Sequence, residues 1–288
     1  MQRNMGLIAV LFFIGYVAMA GAQDSKNEIQ LIVRGDDIGS CHAANVACIQ
    51  CYREGIVRSV EVMVPAPWFN EAVKMLAENP QLDVGVHLDL TSEWEYYKWG
   101  PITHAPSLVD EMGHFFPMTS PNKNFPPHSS FMEARAKIEE VEKELRAQIE
   151  LAIDKIANVT HLSAHMGTPV CTPELKALTM RLADEYDLPL EAPAAKYAGG
   201  FGGSEMTPQE KESALCKILE NLKPGLWLFI DHPGLDTPEM RSIGHEGYRN
   251  VAADRDGVTK AFTSEKVKSI IQKRSIRLMS YGELNQKE

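Results

Sequence analysis

The sequence predicts an α/β fold with a parallel sheet, because apolar strand-like segments alternate with amphipathic helix-like segments along the chain. Residues 28–34 (EIQLIVR) are typical of a buried strand. The clearest helix is 131–157, where apolar residues recur every three or four positions and charged residues fill the rest. A closed (β/α) barrel and an open doubly wound sheet both fit this alternation.

The other elements follow the same alternation and bring the total to about seven strands. Further strands are predicted at 57–64, 82–90, 160–165, 188–191, 225–231 and 275–280. Further helices are predicted at 42–54, 68–78, 173–186, 207–222 and 264–273. No G-x-G-x-x-G turn follows the first strand, so the dinucleotide-binding form of the open sheet lacks its main signature.

Residues 1–22 have the layout of a secretory signal peptide. Arg3 gives a positive start, residues 6–19 are apolar and uncharged, and small residues lead up to Ala22. The apolar run is shorter than the roughly 18–20 residues that a spanning helix needs, which disfavours the alternative of a membrane anchor. We therefore expect cleavage, a periplasmic or secreted protein, no stable membrane insertion, and a single domain over 23–288.

The chain is acidic, with a formal net charge of −10. Removal of residues 1–22, which carry one arginine and no acidic side chain, would leave 266 of the 288 residues and a net charge of −11. This charge argues against nucleic acid and anionic membrane surfaces as partners, because both are themselves negative. The sequence does not predict an oligomeric state.

Five cysteines are too few for a disulfide scaffold, and the odd number leaves at least one unpaired. Cys48 and Cys51 form a C-x-x-C on a predicted helix. Without a second such pair, a buried thiol face is a better interpretation than a zinc site. Cys41 and Cys171 both follow predicted strand ends, where a disulfide between them is an alternative to two free thiols.

Two segments lack a regular period. Residues 92–130 contain six prolines and begin with four aromatic residues between Trp94 and Trp99. A loop of this length is typically a lid, a binding loop or a disordered segment, and the aromatic residues argue against disorder. We therefore expect a lid-like loop. Residues 193–206 form a second, glycine-rich loop.

Acidic and histidine side chains lie at the ends of four predicted strands. In chain order, these residues are Asp36, Asp37, His87, His165 and His232. Because ligands bind at the carboxyl ends of parallel strands, we expect these distant residues to converge on one site. Each also has a purely structural interpretation, since paired aspartates favour turns and helix N-caps and a lone strand histidine is commonly a core residue.

An aspartate together with His87 and His165 makes a compact ligand set for one divalent metal. Glycines on either side of Asp36 and Asp37 let the backbone turn, so that both carboxylates can face one site. Two imidazoles favour Zn²⁺, and Mg²⁺, which prefers oxygen ligands, is the alternative. Three protein ligands leave positions open for water and substrate, as catalytic sites require.

The chain resembles the YdjC-like carbohydrate deacetylases in six segments that occur in the family's order. They are RGDDIGSCHAAN (34–45), GIVRSVEVMVPAPWF (55–69), LDVGVHLDLTSEW (82–94), THLSAHMGT (160–168), DHPG (231–234) and RDGVTKAFTSEKV (255–267). Each segment is modest alone, but together they span nearly the whole chain after residue 22. The combination is therefore specific.

The resemblance implies a distorted (β/α) barrel related to polysaccharide deacetylases. It implies one divalent metal bound by Asp37, His87 and His165. The implied activity is the hydrolytic removal of acetyl groups from an N-acetylated oligosaccharide or glycan.

The same resemblance assigns Asp36 as the general base and His232 as the general acid. It places Arg255 where it could position these residues or the substrate. Trp94 and Trp99 could stack on sugar rings, and the alternative is that they pack the long loop onto the barrel.

The sequence departs from the family pattern at two positions. Ser163 stands where the family has an aspartate two residues before the metal histidine, and Asp89 stands where threonine is more common. Groups beside metal ligands tune ligand basicity and the pKa of bound water, so both positions bear on rate and substrate preference.

Three other functions stay open at this stage. A carbohydrate O-acetyl esterase would use the same site. A glycoside hydrolase would need two carboxylates across the scissile bond, such as Asp36 with Asp89 or Glu93. A non-catalytic sugar-binding protein is the third, and Ser163 is the feature that favours it.

Overall fold

The computed structural model describes residues 27–285, so the predicted signal peptide at 1–22 lies outside the described residues. Within them, seven parallel strands form one sheet. The strands are β1 (Ile29–Ile38), β2 (Ser59–Val62), β3 (Asp83–Leu88), β4 (Val159–Ala164), β5 (Lys196–Tyr197), β6 (Gly225–Asp231) and β7 (Arg277–Met279).

Ten α-helices connect or follow the strands in the part of the chain that the structure describes. They are α1 (His42–Arg53), α2 (Phe69–Ala77), α3 (Phe131–Ala134), α4 (Ile138–Lys155), α5 (Pro173–Glu185), α6 (Pro208–Asn221), α7 (Pro238–Arg241), α8 (Val251–Thr263), α9 (Glu265–Lys273) and α10 (Tyr281–Asn285). Over residues 27–285, none of these helices combines the length and the hydropathy that crossing a membrane requires.

The sheet order is β4-β3-β2-β1-β6-β5, and β7 pairs with the first half of β1. At one edge Leu190 bridges to Leu162 of β4, and a few residues later β5 pairs with β6 at the other edge. A single stretch of chain thus touches both edges, so the sheet curls into an incompletely closed barrel. The predicted distorted barrel of about seven parallel strands is confirmed, although the strand expected at 188–191 is reduced to that one bridge.

β1 is the central strand and is buried on both faces. Leu31 and Val33 pack outward into the main hydrophobic core beneath the helices, and Ile32 packs into a separate small apolar cluster. Because side chains alternate along a strand, Arg34 and Asp36 share the face of Ile32. The barrel interior is therefore apolar around Ile32 and charged around Arg34 and Asp36, nearer the carboxyl end of β1.

Two helix predictions need correction. The single helix expected at 131–157 is divided into α3 and α4, because Arg135 adopts a left-handed conformation with φ of 54°. The helix α8 was not predicted. Its residues are buried almost all round, including Ala252, Val258 and Phe262, so no apolar stripe distinguishes it in the sequence.

The segment 92–130 packs against the barrel. Trp94, Trp99 and Phe115 are all buried. The carboxylate of Glu144 on α4 accepts backbone N–H groups from the loop. These contacts agree with the expectation that the aromatic-rich loop is ordered.

All five cysteines lie within residues 27–285 and are free thiols. Cys48 and Cys51 are fully buried on α1, which confirms the predicted buried thiol face. Cys41 is the N-cap of α1, where its sulfur accepts the backbone N–H of Ala44. The alternative of a disulfide between Cys41 and Cys171 does not occur in this structure.

Candidate active site and metal centre

Asp37, His87 and His165 meet at the carboxyl ends of β1, β3 and β4. Nε2 of His87 lies 3.7 Å, and Nδ1 of His165 lies 3.5 Å, from the same oxygen, Oδ1 of Asp37. One ligand atom from each residue lies within 4.8 Å of the others, and all three residues are buried. The parallel sheet thus brings together three residues that are far apart in the sequence, as their positions at strand ends predicted.

The donor set fits a metal ion. Oδ1 of Asp37 is buried and has no hydrogen-bond partner, whereas Oδ2 accepts Nη2 of Arg255 at 2.8 Å. Buried polar atoms are almost always paired, so a carboxylate oxygen without a partner, between two imidazole nitrogens, is a position that a cation would fit. Burial alone would raise the pKa of Asp37, but the charge of Arg255 holds it well below its usual range.

The backbone at Asp37 explains how two adjacent aspartates serve one site. Asp37 adopts a left-handed conformation with φ of 70°, which aspartate tolerates better than most residues. The strand therefore turns at this residue instead of continuing its alternation. As a result, the carboxylates of Asp36 and Asp37 both approach Nε2 of His87, at 3.8 and 3.7 Å.

Asp36 is held in a buried ion pair beside the ligand cluster. Arg34 donates from Nε to Oδ1 at 2.7 Å and from Nη2 to Oδ2 at 2.9 Å, which fixes the plane of the carboxylate. Burial raises the pKa of Asp36 to about 6 against the opposing charge of Arg34. Asp36 is thus a fixed carboxylate with proton affinity close to neutral pH, as a general base requires.

His232 directly follows β6, and its side chain is 41% exposed. Its Nδ1 lies 3.6 Å from Oδ1 of Asp231. Partial desolvation by the surrounding protein lowers the pKa of His232, but the carboxylates of Asp37 and Asp231 outweigh that effect and raise it above its ordinary value. A histidine of this kind keeps its proton at neutral pH more readily than a free one.

These groups line one cavity of about 510 Å³ at the mouth of the barrel. Its walls include the predicted site residues Asp36, His87, Trp94, His165, His232 and Arg255. The volume is within the range of small-molecule sites, about 300–1,000 Å³. The cavity therefore brings the candidate base, the candidate acid and two of the candidate metal ligands to one space.

Arg255 and Trp94 pack against each other in the wall of this cavity. The guanidinium of Arg255 is buried, binds Asp37 and lies 5.3 Å from the ring centre of Trp94. The ring of His245 stacks on Trp94 at 5.8 Å. Arg255 was expected to position the acid–base residues or the substrate, and its observed partner is Asp37, a candidate metal ligand. Trp94 is only 4% exposed, so most of its ring is already covered.

Trp99 does not line this cavity, and its position agrees with the alternative that it packs the long loop onto the barrel. Its indole Nε1 donates to Oδ2 of Asp89 at 2.6 Å in the interior. Asp89 also accepts the backbone N–H of Thr91 at 2.9 Å. Burial raises the pKa of Asp89 to about 7. The hydrogen bond to a buried carboxyl group holds the indole inside the loop.

Several residues of the site were not predicted. Arg34, the partner of the base, and Glu61 on β2 are both buried charged residues. Arg34 directly follows the apolar run 31–33, and Glu61 lies between two valines. This is the signal that could have identified them, because buried charges are rare unless they are paired. His245 and Tyr248 also line the cavity, but they come from a polar loop that carries no such signal.

The model of the YdjC-like protein family matches residues 30–273. The chain belongs to the YdjC-like family. A carbohydrate deacetylase of Thermus thermophilus is 33% identical over 239 residues, covering 74% of this chain and 80% of that protein. Another, from Brevibacillus brevis, is 26% identical and covers 89% and 100%.

A solved structure from Enterococcus faecalis, provisionally described as a cellobiose-phosphate cleavage protein, matches this YdjC-like chain with a TM-score of 0.70. The two are 24% identical, and the match covers 89% of this chain and 99% of the other. The family resemblance that the six sequence segments suggested is thus confirmed, and the similarity of structure extends over the whole barrel.

Proposed function

We propose that this YdjC-like protein is a metal-dependent hydrolase that removes acetyl groups from an N-acetylated oligosaccharide or glycan. The observation that carries the proposal is the buried, unpartnered Oδ1 of Asp37 between two imidazole nitrogens. A second, separately held carboxylate lies beside it at Asp36. The relatives named as carbohydrate deacetylases support the class of substrate.

Asp37, His87 and His165 would hold the ion. When bound, a divalent metal supplies Lewis acidity toward a carbonyl oxygen and lowers the pKa of water. Two imidazoles and one carboxylate favour Zn²⁺, with Mg²⁺ as the alternative. Arg255 occupies Oδ2 of Asp37 and so leaves Oδ1 directed at the histidines.

The remaining residues account for the proton transfers of amide hydrolysis. Asp36 accepts a proton from the attacking water, because it is fixed by Arg34 and has proton affinity near neutral pH. The water oxygen bonds to the acetyl carbon, and the bond from that carbon to nitrogen breaks. His232 donates its proton to the departing nitrogen, which leaves as the amine of the sugar, and the other product is acetate.

The test is acetate release from a panel of N-acetylated chito-oligosaccharides by the purified protein. Asp36→Asn removes the base and keeps the shape of the side chain, so acetate release should fall to background. Asp154→Asn, at an exposed position on α4, is the matched control and should behave as wild type. Chelation should abolish activity, and Zn²⁺ should restore it.

Other outcomes distinguish the rival functions. Activity that survives both Asp36→Asn and chelation contradicts the proposal. Acetate release from O-acetylated sugars only would identify an esterase, and reducing-sugar release without acetate would identify a glycoside hydrolase. Tight oligosaccharide binding without turnover under any metal would identify a sugar-binding protein.

We place this activity in the periplasm or outside the cell, because residues 1–22 have the layout of a signal peptide. N-terminal sequencing of protein from the exported fraction of expressing cells is the test. A start at or near residue 23 supports the proposal, and retention of Met1 on protein inside the cell contradicts it.

A further inference from the structure

Three neighbouring strands place a buried carboxylate close to the metal ligands. Glu61 of β2 pairs in register with Gly85 of β3, which pairs with His161 of β4. Two residues further along, His87 pairs with Ser163. Because side chains two apart share a face, all of these residues face the barrel interior.

Gly85 makes room for a contact across β3. Nε2 of His161 lies 2.6 Å from Oε1 of Glu61, directly over the glycine, where a Cβ would collide with both side chains. The other oxygen of Glu61 accepts the hydroxyl of Ser163. The Oγ atom of Ser163 is in turn 2.7 Å from Nδ1 of His87. Glu61, Ser163 and His87 thus form a continuous hydrogen-bonded chain, and each of them is buried.

Hydrogen-bond capacity fixes the direction of this chain. Burial would raise the pKa of Glu61, but His161 and Arg34 hold it well below its usual range, so its oxygens only accept. The single hydrogen of Ser163 must then go to Glu61. The Ser163 oxygen can only accept from His87, so Nδ1 of His87 carries a hydrogen and Nε2 presents its lone pair to Asp37 and the metal position.

We propose that Glu61 and Ser163 are positioning residues that act on His87, fixing its tautomer and ring orientation so that Nε2 faces the metal site. Ser163 on β4 connects the Glu61 carboxylate on β2 to the His87 ring on β3 by two hydrogen bonds. Ser163 replaces the aspartate of the family pattern, but His87 is still linked to a carboxylate, that of Glu61, through the Ser163 hydroxyl. This inference rests on the metal site of the proposed function, but not on the reaction or the substrate.

The first experiment measures Zn²⁺ affinity of the purified, metal-stripped protein by competition with a chromophoric chelator. Ser163→Ala should weaken binding about 10- to 100-fold, the usual effect of losing a group that orients a ligand. Glu61→Gln should weaken it in the same direction. The double variant should bind no more weakly than Ser163→Ala alone, because Glu61 acts through Ser163.

A rescue separates positioning from a general loss of structure. Ser163→Asp places a carboxylate directly beside Nδ1 of His87, so it should restore affinity in the Glu61→Gln background. The matched control is Ser59→Ala. Ser59 is equally buried on β2, but its hydroxyl bonds to Asp83 and touches no ligand. We expect wild-type affinity for that variant.

A second readout needs no metal and no activity. Long-range proton–nitrogen spectra of ¹⁵N-histidine-labelled protein report which ring nitrogen of His87 carries the hydrogen. Wild type should show the Nδ1–H form, and Ser163→Ala should lose that preference. If Ser163→Ala does not fold, the wild-type spectrum together with Ser163→Thr, which keeps the hydroxyl and should keep the affinity, decides the matter.

Two results would overturn the inference. One is the Nε2–H form of His87 in wild type. The other is a folded Ser163→Ala protein with wild-type Zn²⁺ affinity. A protein that binds Zn²⁺ with these dependences but releases no acetate would contradict the proposed function and leave this inference intact.

Discussion

Replacing Gly85 by alanine tests the packing beneath the site. The backbone of Gly85 lies outside the left-handed region, so alanine is allowed there by conformation. The added Cβ, however, would collide with Oε2 of Glu61 and Nε2 of His161. Both side chains are fully buried, so neither can move into solvent.

The cost can be worked from these contacts. Forcing a methyl group into a packed interior costs about 1–3 kcal/mol. If the hydrogen bond between Glu61 and His161 breaks, a buried charge loses its partner, which costs about 3–5 kcal/mol. Alanine also restricts the unfolded chain more than glycine does, which offsets about 0.4–1 kcal/mol of the lost stability. We expect a net loss of about 3–8 kcal/mol, a large part of the roughly 5–15 kcal/mol that stabilises a typical protein.

Urea unfolding followed by circular dichroism measures the change. The control is Gly202→Ala, at an exposed position where the new Cβ would meet only the flexible side chain of Met206, at 3.3 Å. That variant should stay within about 0.5 kcal/mol of wild type. A Gly85→Ala protein as stable as the control would refute the claim that the space over β3 is filled by this hydrogen bond.

Three further predictions follow. The pKa of His232 is raised above its ordinary value of 6.5, so the midpoint of the fall of kcat on the alkaline side should lie above that pH and the fall should disappear in His232→Gln. A midpoint below pH 6.5 would contradict its proposed role as acid. Trp99→Phe leaves Asp89 without its indole partner, so urea unfolding should show a loss of about 1–3 kcal/mol in stability, and KM should not change. A raised KM without any loss of stability would show instead that Trp99 contacts the substrate. Arg255→Gln leaves the buried Asp37 unpaired, so thermal melts of the metal-free protein should show a loss of about 3–5 kcal/mol that Zn²⁺ partly restores. Equal melting of the metal-free variant and the metal-free wild type would contradict the pairing of Arg255 with Asp37.

The cluster of candidate metal ligands was predictable because all three residues lie at the ends of predicted strands. Polar residues directly after apolar strands can be read from sequence, and parallel topology then brings Asp37, His87 and His165 together. The turn that lets Asp36 join them was also expected from the flanking glycines. The structure, however, places a left-handed residue at Asp37 itself.

The partners of these residues were not predictable in the same way. The contact of Glu61 with Ser163 depends on the register of β2 and β4 across β3, and a single strand carries no information about register. The direction of Trp99 depends on the buried Asp89, ten residues earlier in an irregular loop. Sequence patterns report which residues are buried, but not which neighbour each one meets.

Asp36 and Asp37 are joined by a single peptide unit, whereas Asp37, His87 and His165 lie at the ends of three different strands. The spacing of the proton acceptor and its neighbouring ligand is therefore set by covalent geometry, and the spacing of the ligands is set by how the strands pack. Warming that loosens the sheet separates the ligands first. If the proposed metal ion is bound, we expect heat inactivation to begin with its release from an otherwise intact barrel, a stage at which cooling and added metal would recover the protein.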